Sequence, residues 1–214
     1  MTGLRQDLPE PAGKLAPTPM RDTVYLLLFD GYADWEPALA ACEIRKHGGF
    51  ELVTVGFDDH TVTSMGGFQV LPAIRLDDLD PERAVMLILP GGDRWEDPPE
   101  SNALEKVLLD LRHRHVPLAA ICGATLALAR AGLLKGIKHT SNGLNYLVEH
   151  VPSYDEDELY QEVPAVRHRH IITANGAGYV EFTREVLGLL RIYPEDELEI
   201  WYDLFKKGVM SGLR

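Results

Sequence analysis

Pro117-Leu118-Ala119-Ala120-Ile121-Cys122-Gly123-Ala124-Thr125 joins a short apolar run to an Ala- and Leu-rich one through a single polar residue followed by glycine. Pro117 to Ile121 predicts a strand, and Gly123 to Ala131, closing at Gly132, predicts a helix. A chain that passes from strand to helix so abruptly needs small residues at the turn, and this junction resembles the elbow on which α/β enzymes mount a nucleophile. A thiol there faces the free N–H groups and positive dipole end of the helix, so the pKa of Cys122 is expected to fall and thiolate to be available at neutral pH. Packing as a small buried apolar residue is the competing reading of any free cysteine. The flanking glycine and the strand-end position favour the reactive one. Cys42, in mid-helix between Ala41 and Glu43, lacks both and is expected to be structural.

The same alternation of strand and helix extends in both directions. Val24-Tyr25-Leu26-Leu27-Leu28-Phe29 is a continuous apolar run ended by Asp30-Gly31, as a strand buried on both faces of a parallel sheet requires. Trp35 to His47 carries Leu39, Cys42 and Ile44 at helical spacing and stops at Gly48-Gly49; Glu51 to Phe57 reads as the next strand. Residues 61 to 74 predict a short β excursion around Gly66-Gly67, and Val85 to Leu89 a buried strand before Pro90-Gly91-Gly92. A helix is expected from about Ser101 to His115. Beyond the elbow, Ile171 to Ala174 reads as a strand, Val180 to Ile192 as a helix, and Glu195 to Lys207 as an amphipathic helix. These connections imply an α/β fold: a three-layer αβα sandwich around a flavodoxin-like, mostly parallel sheet. Ligands bind such sheets beyond the carboxyl ends of the strands, where Asp30-Gly31, Pro90-Gly91-Gly92 and Cys122-Gly123 would gather.

The chain has 214 residues, enough for one full core. Residues 1–22 hold four prolines and no apolar period and are expected to form a flexible tail, leaving 23–214 as a single domain. The formal charge of −12 disfavours nucleic acid and anionic membranes as partners. Two cysteines eighty positions apart suit neither a disulfide framework nor a metal spacing, so a reducing, cytoplasmic setting is expected. The pair His168 and His170 beside Arg167 and Arg169 reads as a solvated hairpin rather than a metal site, and no metal or cofactor is expected.

Four segments together resemble one family. Gly31-Tyr32-Ala33-Asp34-Trp35-Glu36, Leu89-Pro90-Gly91-Gly92, Ala119-Ala120-Ile121-Cys122-Gly123 and Ile172-Thr173-Ala174-Asn175-Gly176-Ala177-Gly178 look like the PfpI and Parkinsonism-associated deglycase superfamily, a branch of the class I glutamine amidotransferase-like folds. The resemblance implies Cys122 as nucleophile, Glu36 as its carboxylic partner, and the N–H groups of Gly92 and Gly123 as an oxyanion hole. It also implies a homodimer. Peptidase-like members carry a histidine after the cysteine, where this chain has Gly123. Others bring a histidine from the segment after the elbow helix; here Asn142 aligns with that place and His139 lies three positions before it, so both are candidates for orienting a substrate. An amide hydrogen-bonds but does not shuttle protons near neutral pH.

The expected function is therefore that of a cysteine-dependent hydrolase or lyase on a small carbonyl or amide compound, of glyoxalase, deglycase or amidase type. The alternative is a non-enzymatic redox or stress-responsive protein acting through oxidation of Cys122. A glutamine amidotransferase-like role ranks lower, because Tyr179-Val180-Glu181 stands where that fold normally puts a His-x-Glu pair.

Overall fold

The computed structural model describes residues 22–97 and 102–208. The expected tail lies outside them except for Asp22, whose carbonyl accepts the Glu51 N–H at 2.9 Å and whose carboxylate meets Arg83 at 2.9 Å. Ser101, the expected start of a helix, is outside them too.

The apolar runs become the centre of a seven-stranded sheet. Its strands are β1 (Thr23–Leu27), β2 (Glu51–Gly56), β5 (Ile74–Arg75), β6 (Ala84–Leu89), β7 (Leu118–Ile121), β8 (Ala165–His168) and β9 (Ile171–Ala174). The order β5-β2-β1-β6-β7-β9-β8 is parallel throughout except for the β8–β9 hairpin at one edge. Every residue of β1, β7 and β9 is buried, which is why these segments read as unbroken apolar runs. The excursion between β2 and β6 is a two-stranded hairpin, β3 (Val62–Thr63) with β4 (Gln69–Val70), followed by β5.

The chain steps one way from β1 to β2 and the opposite way from β6 to β7 to β9. Right-handed crossovers consequently put the connecting helices on opposite faces. α1 (Trp35–His47) packs with α5 (Tyr179–Leu190), and α6 (Glu195–Lys207) lies on α5. α2 (Ala103–His113) and α3 (Thr125–Arg130) pack against β7, with α4 (Leu144–His150) beside α3. The apolar face of α6, which could have served a partner or its own domain, buries Leu198 and Trp201 within the domain and leaves Phe205 exposed. α4 is a helix the periodicity did not indicate.

β1, β6, β7 and β9 point the same way, so their carboxyl ends and following loops share one rim of the sheet. Phe182 of α5 is fully buried among the core residues. Its replacement by alanine is expected to cost about 3–5 kcal/mol, read as a lowered urea midpoint at unchanged slope.

Candidate active site

Ile121 is still extended (φ −123°, ψ 146°), but Cys122 has φ +59° and opens a 3-10 turn that runs into α3. A non-glycine residue in that region costs about 1–2 kcal/mol, and the surroundings hold it there. Thr125 Oγ1 donates to the Cys122 carbonyl at 2.7 Å; Ser141 Oγ, 2.6 Å away, then has to be the donor to Thr125. The elbow is thus tied from beneath by two hydroxyls.

Glu36 lies in the first turn of α1, which aims its side chain under the sheet rim, and it is fully buried. Its Oε2 accepts the Gly91 N–H at 2.5 Å, while Oε1 is buried without a hydrogen-bond donor and has the Cys122 thiol as its neighbour. Two glycines make this proximity feasible. A Cβ at Gly91 would stand 2.5 Å from Cys122 Cβ and 2.6 Å from Glu36 Oε2. One at Gly176 would stand 3.1 Å from Cys122 Sγ and 3.2 Å from Glu36 Oε1. Sequence reasoning named Gly92 and Gly123 and passed over these two, although both stand in the quoted motifs.

Asn142 Nδ2 donates to Cys122 Sγ at 3.2 Å, and its Oδ1 accepts the Gly176 N–H at 3.0 Å, which fixes the amide's orientation. The Gly123 N–H is also directed at the thiol. Gly92, at φ +150°, could not bear a side chain, because a Cβ there would lie 2.7 Å from the Gly31 carbonyl. Gly92 and Gly123 are adjacent: a Cβ on Gly123 would meet the Gly92 carbonyl and the Trp95 ring, each at 3.0 Å. The structure therefore brings Cys122, Glu36, Gly92, Gly123 and Asn142 together.

His139 is not among them. It is fully buried, with Nδ1 2.6 Å from the Ile137 carbonyl and Nε2 2.7 Å from the Tyr154 hydroxyl. Nδ1 must be the donor, so Nε2 accepts from Tyr154, and burial lowers its pKa and keeps the ring neutral. His168 Nδ1 accepts the Lys138 N–H at 2.8 Å, and among the described residues no cluster of His, Cys, Asp and Glu is arranged to hold a metal.

With this geometry in place, the comparisons are decisive. A family model described as the DJ-1/PfpI family matches residues 22–189. This chain belongs to the DJ-1/PfpI family. It is 37% identical over 190 residues to the uncharacterized protease YoaZ of Bacillus subtilis, covering 86% of this chain and 90% of that one. It is similar in structure to the DJ-1 superfamily protein Atu0886 of Agrobacterium tumefaciens, with a TM-score of 0.80 at 34% identity, covering 87% of this chain and 98% of the other. The deglycase TK1284 of Thermococcus kodakarensis is 30% identical over 118 residues, 55% of this chain and 70% of that protein.

Two expectations for this DJ-1/PfpI chain need correction. The thiol of Cys122 is not lowered: burial first, and the charge of Glu36 second, push it up to about 11, against smaller opposing contributions from Asn142 and the Gly123 N–H. The helix end is outweighed by burial, and a carboxyl brought from α1 adds to it. Cys42 is not packed inside but exposed on α1.

Burial likewise raises Glu36 above its ordinary 4.5, opposed by the Gly91 N–H bond and by the adjacent Cys122 thiol. A carboxyl whose folded pKa lies above its unfolded one adds stability that is complete below the unfolded value and is lost as pH rises through the folded one. Glu36→Gln should accordingly gain on wild type as pH rises from 4.5 toward neutrality, by on the order of a few degrees in Tm. A Tm difference independent of pH would mean that the carboxyl carries no such burden. Gly91→Ala should destabilise by about 1–3 kcal/mol through forced displacement of Cys122 or Glu36, measurable by denaturant unfolding.

Proposed function

We propose that this chain is a cysteine-dependent hydrolase or lyase that adds Cys122 to the carbonyl carbon of a small carbonyl or amide compound. The observation that carries the reading is the thiol itself, set on a strained elbow between the Asn142 amide, the Gly123 N–H and the buried Glu36 carboxyl. As the C–S bond forms, the thiol proton passes to the Glu36 carboxylate and the carbonyl π pair moves to oxygen. N–H groups of Gly92 and Gly123 would stabilise that oxyanion by roughly 3 kcal/mol each. With an amide, Glu36 returns the proton to the departing nitrogen and water cleaves the thioester. Asn142 holds Sγ in line and moves no proton.

The names of the relatives support both halves of the substrate class, a protease for amides and a deglycase for carbonyl adducts. Peptide hydrolysis is disfavoured, because Gly123 stands where peptidase-like members carry histidine. Glu181 supports no amidotransferase triad, since it bonds Lys206 and Tyr202, each at 2.8 Å. Oxidation of Cys122 is the second reading, favoured by the donor-free Glu36 Oε1, which once protonated would hold a sulfinate oxygen. The high thiol pKa works against it by keeping thiolate scarce.

A homodimer and a cytoplasmic setting belong to the same proposal. The exposed Trp35, Met65 and Phe68 support the first: the β3–β4 hairpin is bonded to residues 32 and 34, beside α1. The free thiols support the second.

Iodoacetamide alkylation of Cys122, followed by mass spectrometry with exposed Cys42 as reference, should rise with a midpoint of about 11. Glu36→Gln removes the neighbouring charge and should lower that midpoint, while turnover of a small amide or hydroxy-carbonyl compound falls at least about a hundredfold. Asn142→Ala should raise the midpoint. Unchanged turnover in Glu36→Gln would sink the acid–base role.

A further inference from the structure

Glu96 follows Trp95 in the loop after β6, and Trp95 abuts Gly123, the residue whose N–H faces the thiol. Tyr146 comes from the opposite loop. It stands in the first turn of α4, four positions beyond Asn142, and its hydroxyl donates to Glu96 Oε1 at 3.2 Å. The bond to Glu96 links the phenol to the loop that holds Trp95 beside Gly123, and it is near enough for the Cys122 charge to act on it. It is half-buried, its ring tilted against His150 with centroids 4.6 Å apart, and His150 Nδ1 lies 2.9 Å from the Tyr146 carbonyl. Arg130 braces the same wall by donating to the carbonyls of Trp95 at 2.6 Å and His150 at 3.2 Å.

We propose that Tyr146, oriented by Glu96, is the specificity-determining residue of the site, and that it selects substrates carrying an N–H or O–H donor beside the reacting carbonyl. The assignment rests on the reading of Cys122 as the attacking group. A phenol has one hydrogen, and here Glu96 takes it. What remains free is a lone pair of the phenolic oxygen, an acceptor made more basic by the carboxylate it donates to. Burial and Glu96 keep the phenol protonated far above neutral pH, and the Cys122 charge acts on it in the same sense. The acceptor is thus permanent. The donor that suits it is the amide N–H of a primary amide or the hydroxyl of a hydroxy-carbonyl compound. A molecule with only carbonyl oxygens, or a carboxylate anion, would present lone pairs to a lone pair.

The test is a ratio of alkylation rates at Cys122. Iodoacetamide and its N,N-dimethyl analogue react identically in kind: sulfur bonds to the methylene carbon, iodide leaves, and the thiol proton goes to solvent. They differ in the N–H donors. Each rate is divided by the same reagent's rate with glutathione, and Cys42 is followed alongside. Native Cys122 is expected to favour iodoacetamide by about tenfold over the free-thiol ratio, the worth of one hydrogen bond. Tyr146→Phe, which removes only the hydroxyl, should bring the ratio to that of glutathione. Glu96→Gln should lower it in part. Because the ratio cancels the thiol pKa, a purely structural effect on Cys122 leaves it unmoved. Absent turnover with the preference intact would sink the catalytic reading and sustain the preference at Tyr146. Turnover by a protein whose ratio survives Tyr146→Phe would overturn this assignment and leave the catalytic reading standing.

Discussion

The burial of a thiol and a carboxyl side by side, Cys122 and Glu36, is the constraint on which the site is built. Burial disfavours both the thiolate and the carboxylate, and each charge raises the cost of the other, so the pair cannot cheaply carry two negative charges. The arrangement needs a carboxyl oxygen and a sulfur in contact with no side chain intervening. Gly91 and Gly176 meet that need by leaving the space their Cβ atoms would fill. The positive φ of Cys122 is part of the same requirement, since it turns the sulfur off the end of β7 toward the residues that α1 and the loop after β9 supply.

Much of this was legible in the sequence because the apolar runs are long and the motifs sit at their ends. β1, β6 and β9 announce themselves as strands that are buried on both faces, and α6 runs over the residues that its amphipathic pattern marks. α4 was missed for a physical reason. It has seven residues, of which only Leu147 is buried, so it leaves no apolar stripe for periodicity to find. β8 is an edge strand with one buried residue, Val166; its Arg167 and His168 read as part of a solvated hairpin, and they pair with Ile172 and Ile171 in the β8–β9 hairpin.

The site divides along the same line. Cys122 could be placed on its turn from neighbours in sequence, and the sign of its pKa shift could not. A helix terminus is local information, whereas the carboxyl that opposes it comes from α1, in a different connection of the sheet. Cys42 repeats the lesson in reverse: its spacing with Leu39 and Ile44 suggested an inward side chain, but only Ile44 of the three is fully buried. His139 and Asn142 show how little three positions mean without register. One is sealed between Ile137 and Tyr154, and the other reaches the sulfur.

Asparagine at that place alters how the labour is divided. A histidine beside the thiol would titrate near neutral pH and offer a second proton route. Asn142 instead donates to sulfur and accepts from the Gly176 N–H, so it ties the loop after β9 to the Cys122 thiol and has no charge state of its own. Under the proposed mechanism the proton exchanged with the thiol is left to Glu36, which is shielded from solvent. Chemistry at such a site is governed by a single coupled pair. Burial and the carboxyl beside it hold the thiol protonated, so the proposed attack would have to draw its reactivity from a bound substrate rather than from a standing thiolate.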